Sequence, residues 1–213
     1  MKKWSIQAWE AASETFEKIK KHPFLCRLAD GTLPYECFHR YISQDRLYLQ
    51  DYTRVLAHIA SRLPEMDDVE LFLRFASDGV AVEKALHEEF NPDTHVGKSQ
   101  ACEFYTSYLR ARSQDDIAVE AAAVLPCFWI YLEAGKHLLS MARLEGNPYK
   151  DWIATYSDPA FEASTAAAIE VCDRLAAASS AQIREQMTKV FADCTRLEWL
   201  FWDSAYTPSP DIP

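Results

Sequence analysis

The chain is poor in glycine, with five among 213 residues, and it sustains no alternation of apolar and polar positions. Tight hairpin turns and half-buried strands both lack their usual signals, so the expectation is an all-α protein. It also lacks an apolar run approaching the ~20 residues that a helix needs to cross a bilayer, and no transmembrane segment is expected. No basic stretch exceeds the trio Lys18, Lys20 and Lys21, and the formal net charge is -10. Nucleic acid and anionic membrane both require a cationic face, which argues against them as partners. Met1-Lys2-Lys3-Trp4-Ser5 meets Glu10 and Glu14 before any apolar core forms, unlike a secretory leader. The cysteines (Cys26, Cys37, Cys102, Cys127, Cys172 and Cys194) show no Cys-x-x-Cys or clustered spacing, which fits reduced thiols in a cytoplasmic protein. A P-loop, a dinucleotide glycine fingerprint and a Gly-x-Ser-x-Gly elbow are all missing.

What remains is strongly helical in period. Half the residues are apolar (49%) and 13% are aromatic, enough for one sizeable core and for pockets that stack flat rings. The pattern predicts helices over about 5–20, from Pro23 to Asp30-Gly31, and from Pro34, taken as the first helical position, towards Leu63. Further helices are expected over 66–90, over 101–112 and, with a bend at Pro126, over 113–145. A short helix passes through Trp152. Asp158 and Pro159 open the next, and Ser179 with Gln182 forms a capping box for a last helix reaching Ala205. The expected organisation is a single domain over 1–206 with a Pro-rich tail over 207–213.

Three residues break the apolar faces of these helices. Asp45 shares a helical face with Tyr41, Tyr48 and Tyr52. Glu198 interrupts the stripe Phe191, Cys194, Phe201, Trp202, Ala205, and no cation stands one turn away on that face. Cys127 follows Pro126 in Leu125-Pro126-Cys127-Phe128-Trp129-Ile130-Tyr131, the most apolar run in the chain. A buried carboxylate without a partner costs several kcal/mol by rough estimate, so two of them on aromatic faces point to a pocket. Each residue also has a plain reading: Asp45 as an exposed acid at a stripe edge, Glu198 as a structural acid, Cys127 as a small buried hydrophobe. Together, a thiol, two carboxylates and tyrosines can attack an electron-poor ring and move protons. Glu83 with His87, and Glu133 with His137, have spacing suited to metal ligands, but no third helix completes a set, and solvated helix faces explain them better.

The motifs His22-Pro23-Phe24, Asp30-Gly31-Thr32-Leu33-Pro34 and Gln44-Asp45-x-x-Tyr48-Leu49 resemble the opening signature of the TenA family. The similarity continues through Ala85-Leu86-His87-x-Glu89-Phe90, Tyr105-Thr106-Ser107-Tyr108, Leu125-Pro126-Cys127-Phe128-Trp129-x-Tyr131 and Trp152-Ile153-x-Thr155-Tyr156. It ends at Glu198-x-x-Phe201-Trp202-x-x-Ala205-Tyr206, in family order along nearly the whole chain. The resemblance implies a single-domain helical bundle like haem oxygenase but without haem, assembled as a homotetramer and using no cofactor. It implies an aminopyrimidine aminohydrolase (thiaminase II) of thiamin salvage. Such an enzyme converts 4-amino-5-aminomethyl-2-methylpyrimidine to the 5-hydroxymethyl compound and ammonia, and cleaves thiamin as a second activity. Carried over, the nucleophile falls on Cys127, the substrate-orienting acid on Asp45 and the acid–base carboxylate on Glu198. Ring-stacking or hydrogen-bonding aromatics fall on Tyr48, Tyr105, Tyr156 and Phe201. Two other classes compete: a metal-dependent oxygenase on the same scaffold, and a non-catalytic pyrimidine-binding or regulatory protein.

Overall fold

The helix boundaries follow from caps as much as from apolar period. The computed structural model describes residues 2–207, apart from the side chains of Val82, Glu83, Leu86 and His87. All of the expected tail over 207–213 except Thr207, and the side chains of the Glu83–His87 pair, therefore lie outside the described residues. Among the described residues the helices are α1 (Trp4–Lys20), α2 (Pro23–Ala29), α3 (Tyr35–Ala60), α4 (Met66–Phe90), α5 (Gln100–Ala111), α6 (Ile117–Met141), α7 (Lys150–Tyr156), α8 (Pro159–Ala178) and α9 (Ala181–Tyr206), and they include no strand. The all-α expectation holds.

Caps explain the differences in detail. Pro34 stands just outside α3, in extended backbone, rather than at its first helical position. The segment expected as one helix from Ser113 begins instead as a 3-10 turn over Arg112–Gln114. The α-helix proper starts at Ile117, because the Asp116 side chain accepts the Ala118 N–H at 2.9 Å and fixes the N-terminus there. Ser180, not Ser179, caps α9 by accepting from Ile183, while Ser179 turns its hydroxyl back to the Leu175 carbonyl. The capping box with Gln182 is thus replaced by a single serine cap. Asp158 caps α8, with Pro159 at its first position, as the sequence predicts.

α6 lies at the centre. It packs against α9, α8 and α7, and also touches α1, α2, α3 and α5. By length and composition it could cross a membrane, with a mean hydropathy of 1.6, which corrects the expectation that no such stretch exists. Its apolar window is 78% buried inside the bundle, and that is the position of a core helix. Trp9 stacks on Trp129 at 4.8 Å and Trp129 packs on Phe191, tying α1 and α9 to α6. α3 and α4 form the second large pairing, and α5 closes over α3 and α9.

One contact fixes the wall of α6 against α7. A Cβ added to Gly135 would come within 2.6 Å of the Tyr156 carbonyl carbon and 2.9 Å of its Cβ. The obstacle is backbone at the end of α7 and cannot rotate away. Replacing a helical glycine by alanine ordinarily stabilises by ~0.5–1 kcal/mol, but overpacking costs ~1–3 kcal/mol. Gly135→Ala is therefore expected to lower the thermal midpoint, measured by circular dichroism, and an unchanged or raised midpoint would show that α7 can retreat freely.

Candidate active site

A cavity of about 120 Å³ opens between α3, α4, α6, α7 and α8. Asp45 comes from α3, Cys127 and Tyr131 from α6, and Tyr156 from the end of α7; Tyr52, Phe75, Phe128 and Phe161 supply further rings. Asp45 sits in the wall rather than in water because α3 presents Tyr41, Asp45, Tyr48 and Tyr52 to the interior, all nearly fully buried. Cys127 is half-buried, following Pro126 in a helix that continues through the proline.

Glu198, Tyr48, Tyr105 and Phe201 are not in the wall of this cavity but form a buried layer against it. Tyr48 packs on Tyr105 at 4.9 Å and on Phe201 at 5.7 Å between ring centres. The Tyr105 hydroxyl donates to Glu198 Oε1 at 2.7 Å. Glu198 is 1% exposed, and its charge acts on Cys127, Tyr48 and Tyr105. Asp45 acts electrostatically on both Cys127 and Glu198. The thiol and the two carboxylates singled out in the sequence therefore share one site.

The protonation states follow from burial. Desolvation pushes the Glu198 carboxyl up to about 8; the Tyr105 hydrogen bond opposes this and the Asp45 charge adds to it. Burial, and then the Glu198 charge, push the Cys127 thiol well above its ordinary value, so the resting sulfur carries its proton. Tyr48, Tyr52, Tyr105 and Tyr156 are likewise held as neutral phenols by desolvation. The Tyr52 hydroxyl donates to the Val124 carbonyl at 2.9 Å, in the turn just before Pro126. The Tyr48 hydroxyl is buried beside the Cys127 sulfur, and hydrogen bonding from Tyr48 and Tyr52 partly opposes the rise of that thiol.

Glu198 differs from the buried acids that hold helices together. Asp51 takes Lys98 and Arg110, and although burial raises its carboxyl these cations win and hold it low. Glu120 takes His58 and Arg62, and Asp68 takes Arg174. Glu198 has a phenol instead of a cation, a fit for proton exchange rather than for pinning charge. Sequence reasoning missed Tyr52, Tyr131, Asp78 and Ser164 as wall residues. The first two stood in quoted stripes and were available; the last two are ordinary polar residues on amphipathic helices and gave no signal. Among the described residues no group of three or more His, Cys, Asp or Glu side chains could hold a metal ion.

Residues 9–208 match the sequence model of the TENA/THI-4/PQQC family. The chain is 31% identical over 214 residues to an aminopyrimidine aminohydrolase of Bacillus subtilis, covering 96% of this chain and 90% of that one. It is 34% identical over 199 residues to the thiamine biosynthesis multifunctional protein ThiED of Corynebacterium glutamicum, covering 92% of this chain but only 26% of that protein, so it spans about a quarter of such multifunctional relatives. In three dimensions it resembles a TenA homologue from P. horikoshii OT3, with a TM-score of 0.85 and 25% identity, covering 96% and 98% of the two chains.

The raised Glu198 carboxyl makes stability depend on pH in a fixed direction. Its folded value of about 8 lies above the ordinary 4.5, so the folded state binds this proton more tightly than the unfolded chain does. Its stabilising contribution is complete below about 4.5 and is lost as pH rises towards about 8. Glu198→Gln removes that loss. The thermal midpoint of the variant relative to the native protein should rise by ~4 °C or more between pH 5 and pH 8.5. A gap that stays constant with pH would mean that the carboxyl is not raised.

Proposed function

We propose, starting from the premise that this chain belongs to the TENA/THI-4/PQQC family, that it is an aminopyrimidine aminohydrolase of thiamin metabolism, a hydrolase working by cysteine nucleophilic catalysis. The homologues that carry that name support the reading at the level of reaction class, and the TenA neighbour fits a haem oxygenase-like helical fold. The observation that carries the mechanism is the buried Glu198, held by Tyr105 without a cation and acting on the Cys127 thiol.

Asp45 accepts hydrogen bonds from the amidine edge of the substrate ring, the 4-amino group and a protonated ring nitrogen, which makes the ring electron-poor. Ionised Glu198 takes the Cys127 proton as sulfur adds to ring carbon 6. The ring electron pair moves to the 5-methylene bond and expels the ammonium group as ammonia, which takes up the Glu198 proton as it departs and leaves that carboxylate ionised again. Water then adds to the exocyclic methylene while Glu198 takes its proton. The carbon–sulfur bond breaks, the ring regains aromaticity and the thiol is reprotonated. The Tyr48 and Tyr52 hydroxyls, which already favour the charged form of the sulfur, stabilise it as negative charge develops there. Tyr156 and Phe201 hold the ring from the sides. Because Glu198 must be ionised to begin, kcat/KM is expected to rise as pH climbs towards about 8. The same reading includes thiamin cleavage as a second activity and a cytoplasmic homotetramer. Free cysteines throughout the described chain support the compartment, and the exposed Tyr35, Met66, Leu73 and Phe104 support burial between copies.

Release of ammonia from 4-amino-5-aminomethyl-2-methylpyrimidine is the decisive assay. Cys127→Ser should fold and lose roughly 100-fold or more in turnover, since a hydroxyl is the poorer nucleophile; retention of the native rate would sink the mechanism. Asp45→Asn should weaken both binding and rate by the ~1.5–3 kcal/mol of a charge-assisted hydrogen bond, whereas Glu198→Gln should stop turnover and still bind the hydroxymethyl product. Light scattering at micromolar concentration is expected to give four times the 24.4 kDa chain mass, and a monomer would overturn the assembly.

A further inference from the structure

The cavity is graded in burial. Asp45 is 4% exposed and Tyr131 4%, Cys127 is half-buried, and Asp78 on α4 is exposed, with Ser164 on α8 half-buried beside the opening. Asp45 therefore lies at the buried end of the lining and Asp78 at its exposed end, with Cys127 also in the wall. Asp78 lies one turn beyond Phe75 on α4, and Ser164 one turn beyond Phe161 on α8, so each mouth residue follows a ring in the wall. Tyr52, Phe75, Phe128, Tyr131, Tyr156 and Phe161 supply the rings. Among the described residues that line the cavity none is Lys, Arg or His. Asp78 makes no ion pair among the described residues, unlike Asp51, Glu120 and Asp68.

We infer that Asp78 is a specificity-determining residue, which with the ring walls selects substrates whose leaving group is a cation, a protonated amine or a quaternary heteroaromatic nitrogen. Resting on the aminopyrimidine reading, this deepens it by naming the leaving-group side of the site. With the amidine edge on Asp45 and carbon 6 at Cys127, the 5-substituent extends towards the mouth. A cation there meets aromatic faces, which attract it through their quadrupoles, and a carboxylate with no competing cation among the described residues. A neutral leaving group gains neither. Being exposed, Asp78 acts through a screened field, so its effect belongs to capture of substrate and falls with ionic strength.

Two arms test this. In the kinetic arm, the aminomethylpyrimidine (cationic amine) is compared with its N-acetyl derivative (neutral) at 20 mM and 300 mM salt. Asp78→Asn should lower kcat/KM for the cation about three- to tenfold through KM, leave kcat and the N-acetyl derivative unchanged, and lose most of its effect at high salt. Equal loss on both compounds, or no loss on the cation, overturns the inference. In the binding arm, calorimetry uses an unreactive cation, the 5-(2-aminoethyl) analogue with no leaving group on the reacting carbon, against its N-acetyl form. The native protein should favour the cation several-fold, and Asp78→Asn should erase that preference; an unchanged preference overturns the inference. Should the native protein release no ammonia, the enzyme reading fails by itself, while the binding arm still decides the role of Asp78.

Discussion

Everything in this protein is arranged around the burial of α6. A 25-residue apolar helix in the middle of a bundle must be covered on every side, so the neighbouring helices are set by what α6 presents to them. Where they come close, α6 carries alanines, with Ala121, Ala122 and Ala123 wholly inaccessible, and Gly135 where the α7 backbone touches it. Three of the polar groups it turns inward have a job. Glu120 collects His58 and Arg62, Tyr131 meets the Tyr41 hydroxyl at 3.2 Å, and Cys127 faces the cavity. Dispersion and hydrophobic burial over such a surface outweigh the few polar exceptions, which is why those exceptions can be kept in chemically useful states.

The buried acids divide the labour accordingly. Asp51, Glu120 and Asp68 each bridge helices distant in sequence through guanidinium or ammonium partners, and they position α5 on α3, α6 on α3 and α8 on α4. Removing one partner of such a pair leaves a buried charge uncompensated, so these acids cannot also exchange protons during a reaction. Glu198 is buried as deeply and is held by a neutral donor, which leaves its proton mobile. The difference between a strut and a proton carrier lies in the partner, not in the acid.

Much of this was legible in the sequence and some was not, for physical reasons. Helical period, proline and aspartate caps gave the order and type of the helices, because these signals are local. Boundaries slipped where two candidate caps competed: Ser179 and Ser180 are both serines, and only the direction of each hydroxyl in three dimensions tells them apart. Asp45, Cys127 and Glu198 were visible because each is a polar group inside an apolar stripe. Their convergence from α3, α6 and α9 was not visible from spacing alone. Asp78 and Ser164 have no such contrast with their neighbours, since an exposed polar residue on an amphipathic helix resembles any other. Lys98 and Arg110 as partners of Asp51 depend on packing between elements far apart in the chain.

Trp152 and Trp202, neither measurably exposed, both contact Tyr131, and Trp152 also packs on Tyr156 at 4.6 Å. Both tyrosines are cavity-wall residues. The indoles are shielded from solvent quenching yet lie one ring away from any occupant, and the same tyrosines are efficient energy donors to them at this range. The site thus sits beside its own optical reporters: an aromatic occupant that stacks on Tyr131 or Tyr156 lies within quenching range of Trp152 and Trp202, and their emission reports its arrival without a label.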